Sequence, residues 1–307
     1  VMWIVDAMAG ANAALRSVIG GDRSTYDAKA VVTGAGSGIG RAFALELARR
    51  GGEVICADID LGRAEETVAL IDRIHGRRAY AYRCDVAQRA EMESLAQHSE
   101  AIFHGPPTLV INNAGVGIGG KPVGDIGFED WQWALGINLW GVVHGCELFV
   151  PRLRRAGRGG IINVASAAGF AAAPAMAPYN VSKAGVVSLS ETLAAELSGT
   201  GVTVTVLCPT FVRTNVARDG RITAGSARLA TELMRWTGFS PGHVARITLD
   251  AHERGRLHVL PQLDAVVVWH LKRQFPATYT RALGVLNRYL PQADSAPASA
   301  DSEKTGV

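Results

Sequence analysis

Net charge is what this 307-residue chain has least of: 31 Lys and Arg stand against 28 Asp and Glu, leaving +3 at neutral pH. So small a balance gives no electrostatic footprint for nucleic acid, which calls for clustered cations. Long apolar runs are missing as well. No uninterrupted stretch nears the roughly 18 to 20 apolar residues of a membrane span, because the most apolar segments are short and broken by Gly, Arg or Asp. The opening Val1-Met2-Trp3-Ile4-Val5-Asp6 carries an acid inside its first apolar run and no basic leader. That is a poor match to a secretory signal, so a cytoplasmic location is expected. Cysteine is sparse: Cys56, Cys84, Cys146 and Cys208 stand far apart, in or beside apolar segments. A zinc site or disulfide framework needs closer pairing, so buried, reduced thiols and no metal are expected. Internal repeats are also absent.

What the chain does have is core-forming material, with 48% hydrophobic and 19% charged residues, which excludes disorder of the whole. β-type runs near 28–33, 53–57, 79–83, 108–112, 160–165, 202–207 and 256–260 alternate with helical spacing near 38–50, 62–75, 87–104, 128–155, 178–199 and 241–254. Such alternation suits parallel strands, each of which needs a crossover to reach the next. Val202 to Leu207 is almost continuously apolar, as in a strand covered on both faces. The fold class expected is therefore α/β, a doubly wound parallel sheet of about seven strands, in one domain over 28–262. Residues 1–27 read as an apolar helical extension, with Trp3, Ile4, Met8, Leu15, Val18 and Ile19. Residues 263–290 read as a basic amphipathic extension, in which Lys272, Arg273, Arg281 and Arg288 mix with Trp269, Leu271, Phe275, Tyr279, Leu283 and Leu286. The remainder, 291–307, is rich in Ala, Ser and Asp and is expected to be disordered.

The first strand runs into Thr33-Gly34-Ala35-Gly36-Ser37-Gly38-Ile39-Gly40 and then a helix. A tight strand-to-helix turn needs residues without Cβ where φ is positive or where a ligand approaches the backbone, and Gly34, Gly38 and Gly40 fit those needs. The N–H groups at such a helix start attract a pyrophosphate. Eighteen residues after Gly40, the second strand ends at Asp58, whose carboxylate can accept hydrogen bonds from the adenosine ribose. It would also repel a 2′-phosphate, and Ser37 and Ile59 supply no cation to offset that, so NAD is expected over NADP, with Arg41 and Arg63 as the residues able to reverse the preference.

Tyr179 and Lys183 lie four apart on a helix opened by Pro178, hence on one face. A nearby ammonium favours the phenolate, lowering the phenol pKa from about 10, and such a phenol can exchange a proton with a substrate oxygen. Thirteen residues earlier, the fifth long strand ends at Ser166, on the edge where open α/β sheets bind ligands. The fourth strand ends in Asn112-Asn113-Ala114-Gly115 on that same edge, and Asn138 falls inside the long helix that follows.

These motifs, together with Asp85 after the third strand and the run Pro209 to Thr214, resemble in order and spacing the short-chain dehydrogenase/reductase family over about residues 28 to 262. The resemblance implies a Rossmann-like sheet and reversible oxidation of an alcohol to a carbonyl. It assigns Tyr179 as general acid/base and Lys183 to the nicotinamide ribose and the tyrosine pKa. Ser166 would polarise the substrate oxygen, and Asn138 would hold a water linking the lysine to solvent. It further implies cofactor contacts at Gly34, Ser37, Gly38, Ile39, Gly40, Asp58, Asp85 and Val86, the aspartate of that last pair on the adenine. Asn113, Ala114, Gly115, Tyr179, Lys183, Pro209, Val212 and Thr214 complete the set. Thr210 stands where many members have Gly.

A lid over 215–240 carries Ile222, Leu229, Leu233, Met234, Trp236 and Phe239 at partly helical spacing. With Phe170 and Met176 it suggests an apolar wall, so the substrate contacts expected are Ser166, Phe170, Met176, Tyr179 and Trp236. The reading is an NAD-dependent oxidoreductase interconverting a fairly apolar secondary alcohol and its ketone. Its rivals are an NADPH-dependent carbonyl reductase and a silent dinucleotide-sensing protein. The resemblance implies a homodimer or homotetramer through the helices near 128–155 and 178–199. Three roles are open for 263–290, with subunit packing and pocket closure favoured over weak contact with an anionic membrane surface.

Overall fold

The seven apolar runs read above become strands, and two short ones join them, in a computed structural model that describes residues 24–214 and 220–289. They are β1 (Lys29–Thr33), β2 (Glu53–Asp58), β3 (Ala79–Arg83), β4 (Leu109–Asn112), β5 (Ile118–Gly119), β6 (Gly159–Val164), β7 (Val202–Leu207), β8 (Arg221–Ile222) and β9 (His258–Val259). Seven of them form one sheet in the order β3-β2-β1-β4-β6-β7-β9, every pair parallel. This is the expected Rossmann-like sheet. The order reverses between β1 and β4, so the crevice for a ligand opens there, beyond the carboxyl ends of both strands. The last strand is shorter than its apolar run suggests. A small parallel pair, β5 with β8, lies apart from the main sheet and has no signal in the sequence pattern.

Eleven α-helices are described: α1 (Gly38–Arg49), α2 (Leu61–His75), α3 (Arg89–Phe103), α4 (Phe128–Leu135), α5 (Gly141–Ala156), α6 (Ala168–Ala171), α7 (Ala177–Glu196), α8 (Ala224–Thr237), α9 (Pro241–Glu253), α10 (Leu263–Gln274) and α11 (Pro276–Tyr289). Local chemistry sets several ends. The Asp60 carboxylate accepts from the Arg63 amide at the start of α2, and Ser240 accepts from the His243 amide before Pro241 opens α9. The span read as one helix over 128–155 is a rod with a π-helical turn, Gly136–Trp140, between α4 and α5. By length and composition that 29-residue rod could cross a membrane, but half of its apolar window is buried inside the molecule, as in a core helix.

Strand alternation sends neighbours to opposite sides of the sheet. Val32 of β1 joins Phe43, Leu47, Ile111, Ile162 and Leu249 against α1, α2 and α9. Val31 instead joins Ile55, Met92, Phe103, Val110 and Phe149 against α3 and α5. All four cysteines are free and buried, Cys56 and Cys84 within these layers and Cys146 and Cys208 in a third cluster around Ile161, Val186 and Val206, and burial pushes each thiol up to about 12. Among the described residues no His, Cys, Asp and Glu group could hold a metal ion. Of the expected extensions, residues 1–23 and 290–307 lie outside the described residues, as does 215–219 of the lid.

Candidate active site

Three backbone requirements shape the turn between β1 and α1. Gly34 (φ 64°) and Gly38 (φ 55°) occupy the left-handed region. Gly40 is needed for closeness: a Cβ there would lie 2.1 Å from the Gly34 carbonyl oxygen and 2.5 Å from Asn113 Nδ2. Across the crevice, Asn113 Nδ2 donates to the Thr33 and Gly34 carbonyls (2.8 and 3.2 Å), and Thr33 Oγ1 accepts from the Asn113 and Ala114 amides (3.0 and 3.1 Å). These bonds lock the two strand ends that flank the switch point. Ser37 gives α1 no side-chain cap, and no acid occupies its first turn, so the Ser37–Gly40 end keeps its positive dipole for an anion. That end fits the pyrophosphate of a dinucleotide.

Asp58 sits where β2 ends. Its carboxylate accepts from the Gly36 amide (2.8 Å) and the Asp60 amide (3.0 Å), holding it against the glycine turn. The two arginines able to reverse a cofactor preference lie beside this turn but have partners of their own. Arg41 reaches Thr67, the Gly36 carbonyl and Glu66, and Arg63 pairs with Asp60 at 3.3 Å. Asp85 Oδ1 accepts from the Ala87 amide (3.0 Å), while buried Val86 lies against Gly141 on the inner end of α5.

Ser166 lies two residues beyond the end of β6, its Oγ donating to the Pro209 carbonyl (3.3 Å) and accepting from the Ala168 amide (3.2 Å). Tyr179 and Lys183 lie one turn apart on α7, with the Ser166 hydroxyl near enough to the phenol to favour its ionised form. Lys183 is only 3% exposed; its Nζ donates to the Val164 carbonyl (3.0 Å) and lies 5.8 Å from the centre of the Tyr179 ring. Burial lowers this lysine to about 8. The phenol departs from expectation, since burial raises it, with the nearby Ser166 hydroxyl pulling the other way. A phenolate in this crevice is thus uphill without the charge of Lys183 and the hydroxyl of Ser166.

Asn138 is fully buried in the π-turn. Its Oδ1 accepts from the Val116 amide (2.8 Å) and its Nδ2 donates to the Val116 carbonyl (2.9 Å). A Cβ on Gly115 would lie 3.0 Å from Asn138 Oδ1 and 3.3 Å from Lys183 Nζ, so the amide and the ammonium face one another across that glycine. The Pro209–Thr214 run follows β7, with Thr214 against Gly38 and buried Val212 bridging to Phe239. Thr210 needs no left-handed backbone. Gln262, which no sequence motif singled out, clamps this run by accepting from the Thr210 amide (3.2 Å) and donating to the Phe211 carbonyl (2.9 Å). A lone amide far along the chain carries no spacing signal.

The residues read as substrate contacts divide. Phe170 meets Trp269 edge-on at 4.9 Å, and Met176 packs on Gly119 at the start of α7, both beside the Ser166–Tyr179 pair. Trp236 is 79% exposed on α8, with Arg235 beside its ring, and adds no wall in this arrangement. The lid is stapled to α4 through Arg221, which pairs with Asp130 (2.8 Å) and lies over the Trp133 ring (4.3 Å).

Comparison with known proteins places these features in company. A family model described as short chain dehydrogenase matches residues 28–224. The chain is 40% identical over 215 residues to "Probable oxidoreductase EphD" of Mycobacterium tuberculosis, covering 69% of this chain but only 36% of that protein. Against the oxidoreductase SadH of the same species the match is 32% over 280 residues, 88% of this chain and 99% of SadH. Among solved structures, a short chain dehydrogenase/reductase from Burkholderia phymatum in complex with NAD superimposes with a TM-score of 0.75 at 34% identity, covering 80% of this chain and 92% of that one.

Proposed function

The chain belongs to the short-chain dehydrogenase/reductase family of oxidoreductases, and on that premise we propose that it is an NAD-dependent enzyme interconverting a fairly apolar secondary alcohol and its ketone. The observation that carries this reading is the convergence of Ser166, Tyr179 and a buried Lys183, which has no carboxylate partner among the described residues, at the mouth of a crevice whose glycine turn fits a dinucleotide. NAD, when bound, accepts or returns the hydride.

The rest falls to the chain itself. Ser166 holds the reacting oxygen, and Tyr179 takes the hydroxyl proton in oxidation or returns it in reduction. The Lys183 ammonium offsets the cost of the phenolate in this dry setting. Asn138, fixed by Val116, faces that ammonium across Gly115 and gives it a polar neighbour. The preference for NAD is supported by Asp58, fastened to the Gly36 amide, and by Arg41 and Arg63 having partners of their own. The NAD held by the related Burkholderia structure points the same way. The intact Asn138, Ser166, Tyr179 and Lys183 set argues against a sensor that lost its chemistry. Tyr179→Phe tests the proposal: turnover should fall by a factor on the order of 10² to 10⁴, while NAD binding by calorimetry stays close to wild type. Retained turnover would remove the phenol from its role.

A further inference from the structure

The α10–α11 hairpin differs from the rest of the molecule in both charge and surface. Four of the chain's 31 Lys and Arg (Lys272, Arg273, Arg281, Arg288) and one of its 28 Asp and Glu (Asp264) fall within 263–289. The hairpin therefore carries a net +3, the whole of the chain's excess, and the remaining residues balance at 27 against 27. Apolar side chains meant for a core are also left at the surface here. On α10 and its end, Leu263, Val267, Leu271 and Phe275 recur every fourth residue, and all are exposed. On α11 no residue is buried, and Val285, Leu286 and Tyr289 are exposed. At 100° per residue Arg281 and Arg288 fall together along one edge of this second apolar sector, beside Val285, with their long stems able to lie along it.

The hairpin is nonetheless anchored from beneath. Trp269 is buried against Phe170, Arg273 stacks on Trp269 at 3.6 Å, Lys272 lies 5.8 Å from the Tyr279 ring, and the Tyr279 hydroxyl donates to the Ala171 carbonyl (3.1 Å). Exposed apolar residues on a seated, basic helix pair are the signature of an element that lies in the interface of an anionic bilayer. Arg273 is also paired with Glu191 of α7 (3.6 Å), which leaves Arg281 and Arg288 as the cations beside the exposed apolar residues of α11; a second copy laid on that face would set like charges together, whereas acidic lipid headgroups complement them.

We infer that the α10–α11 hairpin is a docking surface for anionic lipid bilayers. Its contact point, Ala171, lies five residues beyond Ser166, so a docked molecule holds the catalytic crevice beside the bilayer, where an apolar alcohol of the kind proposed above would be concentrated. That consequence rests on the redox reading; the docking itself is read without turnover.

The test is co-sedimentation of the full chain with vesicles of phosphatidylcholine containing phosphatidylglycerol, and with phosphatidylcholine alone, at about 0.02 M and about 0.3 M salt. Binding is expected on the anionic vesicles only and should weaken at the higher salt. Each basic residue near such a surface contributes about a fivefold factor, so Arg281→Gln with Arg288→Gln should lower partitioning on the order of 25-fold. Phe275→Ser with Leu286→Ser should abolish it. Both pairs change exposed residues, and circular dichroism checks that the fold is kept. The inference is overturned by absence of binding, by equal binding to neutral vesicles, by variants that bind as wild type, or by light scattering that shows a dimer disrupted by Phe275→Ser, which would assign the face to a second copy.

Discussion

Lys183 Nζ lies 5.8 Å from the centre of the Tyr179 ring, and burial moves the two in opposite directions, the lysine down to about 8 and the phenol up. As pH rises through about 8 the lysine is therefore the first of the two to lose its proton, and the charge that offsets the cost of a phenolate goes with it. Turnover in both directions passes through that phenolate, so both should fall above about pH 8. A rate that keeps rising through that range would show that the phenol does not depend on the ammonium. Asp58 makes a second residue-scale claim. Its carboxylate would meet a 2′-phosphate at the same edge, so Asp58→Ala should weaken NAD and tighten NADP, narrowing the ratio of their affinities by on the order of tenfold or more. An unchanged ratio would move the discrimination elsewhere.

At the scale of elements, the π-turn between α4 and α5 explains why an amide stands inside a long helix. One extra residue per turn swings Asn138 off the regular helical path towards Val116, whose amide and carbonyl it alone satisfies by side chain. Asn138→Ala leaves both of those partly buried groups without their side-chain partner, and urea unfolding should show a loss of about 1 to 2 kcal/mol together with a fall in turnover. Unaltered stability would mean that water replaces the amide and that the turn is held by its backbone alone. Gln262 acts in a similar way from the far end of the chain, since its two bonds to Thr210 and Phe211 tie the start of α10 to the run that follows β7.

For the molecule as a whole, the two flanking layers meet the sheet through residues that are buried on all sides. His252 of α9 is one of them: Thr205 Oγ1 of β7 lies 2.8 Å from its Nδ1, its ring covers Gly160 of β6, and burial lowers it to about 4. An unfolded histidine gains its proton near 6.5, so between that pH and about 4 the unfolded chain binds more protons than the folded one. Stability should fall accordingly on acidification, by about 2 kcal/mol between pH 7.5 and pH 5 from this residue. His252→Gln, which does not titrate, should lose that part of the slope in urea unfolding at the two pH values. Equal slopes would mean that the ring is already charged in the fold.

By itself the sequence determined the period of each element and the chemistry at the strand ends. Apolar runs such as Val202–Leu207 can only be covered strands, and Gly34, Ser166, Tyr179 and Lys183 fall at spacings that a parallel sheet brings to one edge. It could not determine what depends on contacts between residues far apart in the chain. The sign of the phenol shift is set by how much low-dielectric protein surrounds Tyr179, the π-turn by the demand of Val116 for partners, and the clamp on Thr210 by a glutamine 52 residues away. The β5–β8 pair is two residues a side, too short for any periodicity to register. Spacing along a chain fixes which residues share a face; only packing fixes the dielectric, the partners and the exposed remainder that give those residues their energies.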